Sequence, residues 1–229
     1  MQIVDSNDFH LRTGVFLLEK DGLEFITLPV FHIGTKEFYT EIATELDKCD
    51  LILFEGIDIK GMGVLWKSYQ HLATRLGLVY QNHALNLNKH KEKLIHTDFS
   101  KEEAEREWKK VPLVSRILFM LTYPVSLFTL SYFMSRRGFS NTFKDNRNLE
   151  DGFGFMRAGK INSVQNFIRG KREQLIFNEI DKQVANTNQA PKRIGILYGA
   201  KHMEKVVLYL INQHYFKIKS SWFFTVMWL

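Results

Sequence analysis

The sequence carries a single cysteine, Cys49, and that scarcity removes two classes of architecture. No disulfide framework can form within the chain, and no thiolate zinc site is available, so any metal must be held by nitrogen and oxygen ligands. Also missing is a basic stripe with interleaved aromatics. Lys and Arg number 31 against 25 Asp and Glu, a formal net charge of +6, but they are scattered, which argues against nucleic-acid binding. The opening residues, MQIVDSNDFHLRTG, include acidic side chains and lack the apolar segment of a secretory signal. A cytoplasmic location is expected.

What is present is the composition of a folded domain: 229 residues, 45% apolar and 24% charged. VFLLEK and LEFITLPVF are strand-like runs joined by the turn-forming pair Asp21-Gly22, which predicts a β-hairpin over 14–32. Phe38, Ile42, Ala43 and Leu46 then recur at helical spacing, with Glu37, Glu41, Glu45 and Asp47 largely on the other side. Asp50 to Glu55 is a short continuous apolar run, the pattern of a buried strand in a parallel sheet. Together these make a βαβ unit.

Further helices are predicted over 61–76, from Lys101, over 162–186 and over 203–212. The start at Lys101 rests on Ser100 and Glu103, spaced as a capping box. Strands are expected over 76–81 and 193–198, with one or two more within 216–228, whose apolar WFFTVMWL either fills a central strand position or seeks a partner surface. Residues 141–159 are glycine-rich and polar and read as a loop. The expected fold class is α/β (or α+β): one domain over 1–229, with a central mixed sheet flanked by helices and two βαβ-like halves.

Between those halves lies an apolar helical insertion, 111–137, whose core VPLVSRILFMLTYPVSLFTLSYFM is nearly long enough to span a bilayer. Arg116 lies inside it and Pro124 divides it, and one crossing would separate the two halves of the domain. A helical hairpin is therefore expected. It is either buried by protein, including a second subunit of a homo-oligomer, or in peripheral contact with a membrane, where Lys109, Lys110, Arg136 and Arg137 would suit anionic headgroups.

Three residues concentrate the chemistry. His32 and His202 each follow an apolar strand and lie close to a glycine, Gly34 and Gly199, at the passage into a helix. Glu55 closes the strand DLILFEG, where a buried carboxylate needs a ligand or a cationic partner such as Arg172. If the two halves pack side by side, the histidines meet at neighbouring strand ends, where clefts form in open α/β sheets. His96 and Asp98 lie in a polar segment and read as solvated. Glu37 lies at a helix N-terminus, where the dipole alone accounts for a carboxylate.

In these residues the sequence resembles the TraB family, related to the TIKI and GumN proteins, which is marked by two G-x-x-H motifs at strand ends and a glutamate ending a D-x-V-L-x-E-G strand. The second motif is matched by Gly199-Ala200-Lys201-His202 and the glutamate by Glu55-Gly56. The first is matched by Pro29-Val30-Phe31-His32, which keeps the histidine and replaces the glycine by proline; the register Gly34-Thr35-Lys36-Glu37 would instead put Glu37 in the histidine's place. Arg172-Glu173 and the IHTDFS segment with His96 and Asp98 are also similar to family segments. The likeness runs from about Phe25 to Tyr215, apart from the insertion.

The resemblance implies a metal-dependent hydrolase, peptidase-like in its TIKI members, acting on a peptide or small-molecule substrate. His32, Glu55 and His202 would hold a divalent metal that acidifies a bound water, and Arg172 would orient substrate or stabilise an oxyanion. Gly199, His96, Asp98 and Glu37 would line the cleft. The alternative is a non-catalytic protein that keeps the fold and uses the insertion to bind a membrane or partner.

Overall fold

The structure, a computed structural model, describes residues 1–56, 63–144, 162–186 and 192–229. The expected loop over 141–159 lies outside them from residue 145 on. The chain opens with strands β1 (Val4–Ser6), β2 (His10–Lys20) and β3 (Leu23–Val30). Asp21 and Gly22 turn β2 into β3 with φ of 52° and 83°, both left-handed, the twist that matches a two-residue hairpin to its strands. The short β4 (Ile33–Gly34) precedes helix α1 (Lys36–Asp47), which the Thr35 side chain caps by accepting from Phe38 N–H. Next come β5 (Leu51–Phe54), α2 (Gly63–Arg75), β6 (Val79–Tyr80), the single-turn α3 (Gln81–Ala84) and a 3₁₀ segment, Leu87–Lys93. They are followed by β7 (Leu94–His96), α4 (Lys101–Lys110), α5 (Leu113–Phe133) and α6 (Arg136–Asn141). Helix α7 (Asn162–Ala185), strand β8 (Arg193–Gly199), helix α8 (Ala200–His214) and strand β9 (Lys217–Trp228) complete the chain.

Seven strands form one mixed sheet. Its order is β9, β2, β3, β8, β5, β7, with β1 pairing β2 beyond the end of β3; β4 and β6 pair separately. β3, β8, β5 and β7 are parallel, whereas β2 is antiparallel to both β3 and β9. β8 lies between β3 and β5, so its run from Ile194 to Tyr198 is buried throughout, as an interior parallel strand must be. Helix α1 buries Phe38, Tyr39, Ile42 and Leu46, and α8 buries Met203, Val206, Val207 and Leu210, each set spaced as one helical face.

Of the one or two strands expected over 216–228, one forms: β9 is an edge strand, not a central one, whose Phe224, Val226 and Met227 face the core while Phe223 and Trp228 are exposed. The expected hairpin over 111–137 is corrected, because α5 runs unbroken through Pro124. Proline removes one backbone donor there, yet the helix continues on both sides of it. Phe119, Tyr123 and Leu127 are buried, and the Tyr123 hydroxyl lies 3.0 Å from that of Tyr69 on α2.

Both ends of α5 are tied to the domain. Val111 is buried before it, and after it Arg136 donates to the carbonyls of Leu76, Gly77 and Trp228. Among the described residues, α5 alone is long and apolar enough to cross a membrane by length and composition.

Candidate active site

Strand register assembles the site. Pro29 pairs with Tyr198 and Val30 with Gly199, so β3 and β8 end level, with His32 two residues beyond one and His202 in the first turn of α8 beyond the other. Phe54 pairs with Leu197 on one side and His96 on the other, which delivers Glu55, Thr97 and Asp98 to the same edge. The expected meeting of the two halves is thus realised by direct pairing of β3 with β8. Pro29 is accommodated past the last pair of β3 with β2, Phe16 with Thr27.

Glu55 is held from two sides. Its Oε1 accepts the Gly199 backbone N–H at 2.6 Å, and its Oε2 lies 3.3 Å from Arg172 Nη2. Gly199 allows this approach: a Cβ at that position would stand 2.8 Å from Glu55 Oε1 and 3.9 Å from His202 Cδ2, so an added methyl would displace the carboxylate end.

Arg172, on α7, is buried and forks onto Asp98, donating from Nε to Oδ1 at 2.8 Å and from Nη2 to Oδ2 at 2.5 Å. Asp98 also accepts from the backbone N–H of Gly56 and Phe99. Its side chain is 1% exposed, so the solvated Asp98 expected from its polar surroundings is corrected. Guanidinium and amide donors satisfy it in the interior. Burial opposes the charge on Arg172, but the bonds it donates to Asp98 and the nearby charges of Glu55 and Asp98 raise its pKa, so it stays cationic.

His96 is exposed as expected and lies with Nε2 2.7 Å from the Gly56 carbonyl, bracing the residue after Glu55. Beneath it, the Tyr198 hydroxyl donates to the Thr97 carbonyl at 2.6 Å; burial raises the Tyr198 pKa and keeps that phenol protonated. Glu37 is exposed in the first turn of α1. No hydrogen bond or ion pair among the described residues joins it to the cluster.

His202 has a partner that sequence reading did not assign. Its Nδ1 lies 3.2 Å from Glu173 Oε1, while Lys205 Nζ lies 3.1 and 2.9 Å from the two oxygens of the same carboxylate. Burial would raise the Glu173 pKa, but hydrogen bonds from His202 and Lys205 hold it below the usual carboxylate range. An ionised carboxylate only accepts, so Nδ1 carries the proton and the neutral tautomer has its lone pair on Nε2. Glu173 stands beside Arg172 in sequence, and no local spacing reveals a partner 29 residues away.

His32 is exposed, with its ring against Tyr69 and Trp66 at centroid distances of 4.9 and 5.9 Å. Desolvation nevertheless lowers its pKa, against the opposing effects of Glu55 and a hydrogen bond to the Gln81 side chain. Cys49 offers no nucleophile: it is buried, and its pKa is pushed up to about 12.

The donor set does not suit the metal centre implied for His32, Glu55 and His202. Both Glu55 oxygens already accept hydrogen bonds, one of them from the Arg172 guanidinium that also binds Asp98, and no three His, Cys, Asp or Glu side chains among the described residues group to hold a metal ion. What fold and site define is an α/β domain with an acid–base cluster at the C-terminal edge of its parallel strands. Comparison with known protein families, curated proteins and solved structures found no match.

Proposed function

We propose that the protein is a hydrolase in which His202 activates water for attack on the carbonyl of a peptide-like substrate. The observation that carries this reading is the 3.2 Å pair between His202 Nδ1 and Glu173, which leaves Nε2 as a base at the strand edge. The carbonyl substrate is suggested by the resemblance to the TraB family. His202 Nε2 takes a proton from water, the hydroxide adds to the carbonyl carbon, and the resulting oxyanion is favoured by the positive end of α8. Its N-cap residue, Gly199, brings no side chain of its own, and the Gly199 N–H is held by Glu55. The imidazolium then returns its proton to the departing amine, giving a carboxylic acid and an amine. Arg172, engaged with Asp98 and Glu55, positions the site and does not bind substrate.

Incubation with a peptide library, followed by mass spectrometry, tests the proposal. Cleavage is expected, with a loss of about 10²–10⁴-fold in His202→Ala and persistence in EDTA. Equal turnover by His202→Ala would overturn the role of His202, and loss in EDTA restored by a divalent ion would return the metal reading. The non-catalytic alternative is favoured by the engagement of both Glu55 oxygens and would be marked by no turnover in the intact chain.

A further inference from the structure

We infer that α5 docks this protein on an anionic membrane surface, lying flat in the headgroup region. One face of the helix, through Ser115, Phe119, Tyr123 and Leu127, is buried. The opposite face presents Val114, Ile117, Leu121, Val125, Phe128 and Tyr132, all exposed, with Val114 at 74% and Leu121 at 64%. Their spacing of three, four, four, three and four residues is that of a single stripe, about 27 Å long at 1.5 Å per residue. A soluble surface rarely carries so continuous an apolar patch without a partner.

Charge selects the partner. Lys109 and Lys110 precede the stripe, Arg137 follows it, and all three are exposed. Arg75, on α2, extends its guanidinium over the Tyr132 ring at 5.3 Å, and Lys67 is exposed two turns earlier on the same helix. An apolar stripe with cations at both ends and along one flank matches lipid tails bordered by anionic headgroups. A second copy fits less well, because antiparallel stripes would bring Lys109 and Lys110 against Arg137. Crossing is opposed by Val111 and Arg136, which fasten both ends of α5 to the same folded body.

The test is co-sedimentation of the full chain with phosphatidylcholine vesicles, with and without phosphatidylserine. Binding is expected with phosphatidylserine, weakened by salt, and reduced at least tenfold in Leu121→Ser/Val125→Ser. It should also fall in Lys109→Gln/Lys110→Gln/Arg137→Gln. These positions are exposed, so circular dichroism should report unchanged folding. No binding to anionic vesicles, equal binding by the serine variant, or a solution dimer that this variant dissociates would each overturn the inference. None of these outcomes depends on turnover at His202.

Discussion

Glu55 and Gly199 are in such close contact that the backbone N–H of one donates to the carboxylate of the other at 2.6 Å, with no room for a methyl group between them. The strand ends of β5 and β8 are joined through this bond. Gly199→Ala should push the Glu55 carboxylate off its amide and weaken its contact with Arg172. A loss of about 1–3 kcal/mol in denaturant unfolding is expected, with reduced peptide turnover. Wild-type stability and turnover in this variant would show that the contact is dispensable.

The Arg172–Asp98 pair is buried, so removing one partner should cost more than removing both. Arg172→Met alone leaves two carboxylates facing each other and should destabilise by about 3–5 kcal/mol. Arg172→Met/Asp98→Leu should recover a substantial part of that loss. Additive losses in the double-mutant cycle would contradict a coupled pair.

Glu173→Gln removes the acceptor that fixes the proton on His202 Nδ1. Turnover should fall and its pH profile should move, whereas Lys205→Met, which spares the His202 contact, should have the smaller effect. Nitrogen NMR of the His202 ring gives a readout independent of turnover: the Nδ1–H tautomer should dominate in the neutral wild type and lose that dominance in Glu173→Gln.

His32 ties stability to pH. Its folded pKa lies below its ordinary value of 6.5, so the unfolded chain takes up the proton first as pH falls. The stability linked to neutral His32 is fully present above pH 6.5 and declines as pH drops from there toward the folded value. His32→Gln should flatten this part of the curve of unfolding midpoint against pH. An unchanged slope would remove His32 as its source.

The features legible in the sequence were those set by neighbours along the chain. Asp21-Gly22 announces a hairpin because its two φ angles are local, and Ser100 with Glu103 announces a helix start because a capping box spans one turn. The alternation of strand, helix and strand around His32 and His202 was equally readable. Asp98 was misread because its burial depends on an arginine 74 residues away. The hairpin expected at Pro124 failed because packing against α2 outweighs one missing backbone bond.

By itself, then, the sequence determined the first hairpin, several of the longer helices and strands, the α/β class and the three candidate residues at strand ends, since periodicity and caps act over a few residues. Only the tertiary structure decided their chemistry. Placing β8 between β3 and β5 sets Gly199 against Glu55, and the approach of α7 pairs Arg172 with Asp98 and Glu173 with His202. Those contacts are long-range consequences of burying both faces of a parallel sheet. They set a carboxylate-oriented histidine beside a buried ion-pair network.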